Sequence, residues 1–108
     1  MDFNEYQQAI CSMGFYPEAR TGSQAAIIYT VMGLVGEAGE VAEKAKKWMR
    51  DGTWDDQEVL KELGDVLWYI GMCAYEMGFN FDAVATGNLS KLRDRQDRGV
   101  ASGSGDNR

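Results

Sequence analysis

The chemistry this sequence offers lies in four carboxylates at a repeated spacing: Glu37 and Glu40 in "GEAGE", and Glu62 and Asp65 in "KELGD". On a helix, residues three apart lie about 60° from one another, so each pair shares one side of its helix. Each borders an apolar stripe instead of opposing it. Laying "GLVGEAGEVAEKAKKWM" over "EVLKELGDVLWYIGMCA" pairs Leu34 with Val59, Glu37 with Glu62, Glu40 with Asp65 and Val41 with Val66. The acids thus recur at one phase on two successive helices, and antiparallel packing would bring all four together. Four close carboxylates raise one another's pKa unless a cation neutralises them, which a hard divalent ion with oxygen ligands does well. Mg²⁺ is the expected ion and Mn²⁺ its substitute. The absence of histidine disfavours zinc and excludes the Glu-x-x-His pattern of di-iron bundles. One acidic pair is common on solvated helices; the repetition sets these apart.

Neighbouring residues extend the reading. Glycines destabilise a helix interior by about 1 kcal/mol each relative to alanine, yet Gly33, Gly36 and Gly39 crowd one helix and Gly64 precedes Asp65. Close helix approach or room for a ligand accounts for them. Lys44 and Trp48 fall on nearly the face of Glu37, with Lys47 nearby, and a cation and an aromatic beside a metal suit phosphate and base. Two structural alternatives stay open: i,i+4 pairing of the lysines with Glu40 and Glu43, and core packing of Trp48. Glu43 and Glu58 add charge without a phase argument. Trp54 sits between the two acidic helices, able to cap a pocket or cover an end. In "NLSKLRDRQDR", Asn88, Lys91 and Arg95 form one helical stripe able to face an anion, although such a mixed charge run is also an ordinary solvated face.

The elements that must position these groups are helical. Phe3, Tyr6, Ile10 and Met13 recur at the helical period, predicting a helix from Phe3 to about Met13. "GFYPEARTGSQ" is a loop, after which Thr21 or Ser23 caps a second helix from about Gln24 to Arg50. Its stripe is Ile27, Val31, Leu34, Val35, Ala38, Val41, Ala42, Ala45 and Met49. Gly52 stops it, and Thr53 or Asp55 starts a third, from about Asp56 to Met77, burying Val59, Leu60, Leu63, Val66, Leu67, Ile70, Ala74 and Met77 before Gly78. A fourth, more polar helix runs from Phe81 to about Arg98. Short connections favour antiparallel neighbours, so the fold expected is an all-α antiparallel bundle of about four helices. Residues 1–98 form one domain. Residues 99–108, "GVASGSGDNR" with Gly99 at their head, read as a flexible tail, although Asp106 and Arg108 could order over a ligand.

Composition bounds the function. A chain of 108 residues holds one core. A net charge of −6 argues against nucleic acid or an anionic membrane as a partner, since no basic surplus exists to meet phosphates without a bridging cation. Cys11 and Cys73 lie in apolar helical patterns and read as buried thiols, which fits a reducing cytoplasm. No apolar run is read as approaching the roughly 20 residues of a membrane span, and "MDFNEYQQ" lacks the regions of a signal peptide. Trp68, Tyr69, Met72 and Tyr75 lie outside the main stripe, more apolar surface than a small monomer should expose.

"GEAGEVAEKAKKW", then "KELGDVLWYIG", then "NLSKLRDR" together resemble the MazG-like all-α nucleoside triphosphate pyrophosphohydrolases over about Thr30 to the C terminus. The resemblance implies that Glu37, Glu40, Glu62 and Asp65 bind Mg²⁺, that Asn88, Lys91 and Arg95 contact the triphosphate, and that Glu37 or Glu40 takes the proton of an attacking water. It implies hydrolysis of a (deoxy)nucleoside triphosphate to monophosphate and pyrophosphate, a task of nucleotide-pool house-cleaning, by a homodimer or homotetramer with active sites at subunit interfaces. The ending "GSGDNR" is similar to the tails of small bacterial and phage members. "GFYPEARTGSQ" carries no transferable signature and is expected to help shape the base pocket. Alternatives are the same fold acting on phosphoribosyl-ATP or a damaged nucleotide, and a helical oligomerisation or regulatory module without catalysis.

Overall fold

The computed structural model describes residues 1–108 as four helices and no strand: α1 (Phe3–Cys11), α2 (Gln24–Asp51), α3 (Asp56–Glu76) and α4 (Phe81–Asp97). Each start is fixed by a side chain that accepts otherwise unpartnered backbone N–H groups. Asp2 and Glu5 form a reciprocal capping box on α1. Ser23, not Thr21, caps α2 by accepting from the Ala26 N–H at 3.2 Å. Asp55, not Thr53, caps α3 at the Gln57 N–H, 2.9 Å away, and Asn80 caps α4. Gly52 ends α2 at φ 72°, in the left-handed region where glycine avoids a Cβ clash.

The short link from Gly52 to Asp55 folds α2 and α3 into a long antiparallel hairpin. Gly33 sets the register, because the Tyr69 ring lies where its side chain would be; a Cβ there would meet the ring at 2.2 Å. Four residues on, Glu37 comes opposite Asp65, and at the far end the Trp48 and Trp54 rings pack 4.6 Å apart, tilted by 32°. The close approach expected of the glycines is real at Gly33. Gly36, Gly39 and Gly64 instead face open space, with nothing within 4 Å of an added Cβ.

α1 and α4 pack on α3 and on each other, whereas α3 is the one helix that α2 packs along, the loop before α2 also folding back on its start. The core is therefore displaced to one end: Ile10, Tyr16, Ala26 and Met72, flanked by Tyr6, Ala19 and Trp68. Met72, expected outside the buried stripe, is fully buried because α1 and the loop after it cover that side of α3. Polar ties reinforce this end. Gln7 donates to the Gly71 carbonyl (2.9 Å) and accepts from the Phe81 N–H (3.0 Å). The buried Glu76 carboxylate accepts from the Tyr16 hydroxyl and from the Arg20 (2.8 Å) and Gly22 (3.0 Å) N–H groups. Both cysteines are free and half-buried.

Elsewhere the chain is open. Only 13 of 108 residues are buried, and the radius of gyration, 16.4 Å, exceeds the about 13 Å of a compact chain of this length. Val31, Val35 and Met49 of α2, Leu60 and Leu63 of α3, and Met77 just after α3, all expected on buried stripes, are exposed, because no third helix lies along the hairpin. α2 also corrects the reading that no segment is apolar enough to span a membrane: by length and composition it is. Its acids, however, converge on those of α3, the arrangement of a packed helix pair, and charge at a bilayer centre costs about 2.5–3.5 kcal/mol or more.

Candidate metal centre

Antiparallel packing brings Glu37, Glu62 and Asp65 together, each offering a carboxylate oxygen within 4.8 Å of the others. Glu37 and Glu62 are half-buried and Asp65 is exposed. No hydrogen bond or ion pair engages any of the three, so their mutual repulsion is unrelieved within the chain. Glu37 registers it: partial burial raises its pKa, and the charges of Asp65, Glu62 and Glu40 raise it further. Glu40 lies outside the trio and is solvent-exposed. An all-oxygen donor set with net negative charge and no internal cation fits a hard divalent ion.

Beside the acids opens a cleft of about 310 Å³ lined by Glu37, Asp65, Trp68 and Tyr69. Its aromatic wall is braced. Trp68 meets Tyr69 edge-on at 5.0 Å and Tyr16 at 6.3 Å, and Tyr16 stacks on Tyr29 at 5.2 Å. Burial raises the Tyr69 pKa, as do Tyr29 and the acids Glu37 and Asp65, so its phenol stays protonated. Trp68 and Tyr69 read in the sequence only as surplus apolar surface. The available signal was their position three and four residues after Asp65, which places them on its helical face.

Lys44 and Trp48 lie elsewhere. Lys44, two turns beyond Glu37 and so about 10 Å along α2, lines a separate cavity of about 290 Å³ at the hairpin turn, with Lys47, Trp54, Asp55 and Glu58. Neither Lys44 nor Lys47 makes the ion pair considered for it; Glu43 instead pairs with Lys46 at 3.1 Å. Trp48 is 53% exposed and packs on Trp54, not in a core. Trp54 donates its indole N–H to Asp56 at 2.7 Å.

The expected triphosphate contacts on α4 are also apart from the acids. Asn88 is exposed, while Lys91 and Arg95 form a pair of cations one turn apart. Neither bonds to Glu37, Glu62 or Asp65. Both bind Asp106, through Lys91 Nζ at 2.7 Å and Arg95 Nη2 at 3.0 Å. Residues 99–108, read as a flexible tail, have a defined path: Arg108 donates to the carbonyls of Val100, Ala101 and Gly105. The sequence concealed this because the acceptors are backbone groups, which carry no residue identity.

A family model described as the MazG nucleotide pyrophosphohydrolase domain matches residues 27–100, covering both acidic motifs and the α4 cations. The chain is similar to the Gene 37 protein of Mycobacterium phage L5, at 44% identity over 114 residues spanning 100% of both chains. No solved structure matches.

Proposed function

We propose, from the premise that this chain belongs to the MazG nucleotide pyrophosphohydrolase family, that it hydrolyses (deoxy)nucleoside triphosphates to the monophosphate and pyrophosphate with Mg²⁺ as cofactor, cleansing the cytoplasmic nucleotide pool. The observation that carries this reading is the meeting of Glu37, Glu62 and Asp65 within 4.8 Å beside an aromatic cleft.

Those three carboxylates would hold the metal. When bound, a divalent ion of this kind offsets charge on phosphate oxygens and lowers the pKa of a coordinated water. Glu40, outside the trio yet close enough for its charge to act on Glu37, is the carboxylate left to accept the water's proton. Trp68 and Tyr69 offer flat apolar surface to a nucleoside and keep water from one side of the cleft. Lys91 and Arg95 suit the leaving pyrophosphate, since charge-assisted bonds from a guanidinium fork match phosphate oxygens. Asn88 lies on the same helix; Lys44 lines the outer cavity, and Trp48 packs on the Trp54 ring that also lines it.

Acids and cations are separate within one chain, so the reading includes a homodimer, or a dimer of dimers, in which a second copy completes each site. The exposed surface supports it. At 7465 Å² it exceeds by about 1,500 Å² that of a compact monomer of this mass, an excess suited to an obligate interface. Ile28, Val31, Met32 and Val35 of α2, 45–68% exposed, supply an apolar stripe for it.

Pyrophosphate release from a panel of ribo- and deoxynucleoside triphosphates, with Mg²⁺ and after chelation, tests the activity. Metal-dependent release of monophosphate and pyrophosphate from at least one of them is expected. No release from any would reject the reading. Sedimentation should give a dimer or tetramer, and Met32→Glu with Val35→Glu should lower the mass to that of one chain.

A further inference from the structure

Arg95 is the most deeply buried cation of the chain, its side chain 7% exposed, and its Nε–H is buried with no partner. The guanidinium is engaged only through Nη2, which donates to the Asp106 carboxylate and to the Asp106 carbonyl. Lys91 donates to the same carboxylate oxygen, Oδ1, that Arg95 uses. A single oxygen thus serves two cations and leaves half of the Arg95 fork empty. A phosphate, with several oxygens and more charge, would fill both arms of the fork and Lys91 together.

Asp106 reaches this position on a loop whose shape the chain encodes. Gly103 and Gly105 adopt φ 119° and 87°, values that favour glycine. Arg108 staples the loop to three backbone carbonyls, and Arg98 donates to the Arg108 carbonyl at 2.7 Å. The Asp106 side chain itself is 76% exposed, so its hold on the cations is open to competition from solvent and solutes.

We propose that the C-terminal tail is a built-in competitor for the Lys91–Arg95 anion site, with the Asp106 carboxylate standing where a substrate phosphate binds and leaving when one arrives. This deepens the reading above and rests on Lys91 and Arg95 being phosphate contacts. The chain then exists in a tail-on form that excludes phosphate and a tail-off form that accepts it. Apparent affinity falls by the fraction held tail-on.

Calorimetric titration of inorganic triphosphate into the full chain, in metal-free buffer at low ionic strength, tests this. Removing the charge of a mostly exposed carboxylate such as Asp106 shifts such an equilibrium by roughly two- to fivefold, so Asp106→Asn should bind the probe that much more tightly than wild type. Lys91→Ala should bind it more weakly, and hydrogen exchange at residues 101–108 should quicken when wild type is saturated. If Lys91→Ala weakens binding while Asp106→Asn leaves it unchanged or weaker, the cations meet phosphate but the tail is no competitor, and the inference fails alone. If Lys91→Ala binds as wild type does, the phosphate reading of the α4 cations fails with it. Unchanged tail exchange on saturation also overturns the inference.

Discussion

Glu76 and Glu37 belong to the same helical hairpin and differ in almost everything that surrounds them. Burial pushes the Glu76 carboxyl up, but the Tyr16 hydroxyl, the Arg20 and Gly22 N–H groups and the Arg20 charge outweigh it, leaving the pKa below the ordinary 4.5. Glu37 is less buried, has no donor and no cation, and is pushed up both by its surroundings and by three acids. At the Glu76 end, α1, the following loop and α4 close over a small core. Along the hairpin nothing closes, and like charges are held together without relief. The difference separates what holds the chain folded from what it leaves available: one carboxylate is consumed by structure, and the other has no partner within the chain.

Removing charge at each end should break this contrast in opposite ways. The largest effect is expected for Glu37→Gln or Asp65→Asn, which should lower pyrophosphate release about a hundredfold or more while thermal stability without metal stays level or rises, because repulsion is relieved. Glu76→Ala should do the converse, lowering unfolding free energy by about 2 kcal/mol, since buried donors lose their acceptor, with turnover per folded molecule retained.

The pH dependence sharpens the same contrast. Because Glu76 is depressed below 4.5 in the folded chain, its contribution is fully present above pH 4.5 and is lost as pH falls through the folded value. Denaturant titrations should show wild type losing that increment below pH 4.5 and Glu76→Gln lacking it. Glu37 has the opposite sign. Its folded pKa is raised, so in metal-free buffer its ionised form destabilises the chain above that value, and the cost disappears as pH falls toward 4.5. Smallest is Gly36→Ala. With open space around Gly36, alanine should stabilise the isolated helix by up to about 1 kcal/mol; a loss of activity alongside would mark close approach by substrate or a second chain.

What the sequence disclosed follows the range of the interactions. Helix ends were legible to within one or two residues because Ser23, Asp55 and Gly52 act on backbone within a turn. The meeting of Glu37 with Glu62 and Asp65 was legible because matched phase on adjacent antiparallel helices suffices to imply it. Glu40 was not separable: a step of three residues rotates it only about 60° from Glu37, and whether that keeps it in the cluster depends on the local tilt of α3. The burial of Met72 depends on α1 and a loop far away in sequence. Glu76 was invisible for the same reason, with partners 54 to 60 residues distant, two of them backbone N–H groups. Asp106, 11 and 15 residues from its cations, needed the loop geometry of Gly103 and Gly105.

Everything proposed for this chain turns on Glu37, Glu62 and Asp65 forming a cation site by meeting across the hairpin. Calorimetric titration of Mg²⁺ into wild type and Asp65→Asn, each saturated with a non-hydrolysable nucleoside triphosphate, tests it most directly. A saturable binding heat is expected in wild type, and Asp65→Asn should lose it while its helical circular dichroism is unchanged. Equal Mg²⁺ affinity in the two proteins, or none in wild type, would contradict it.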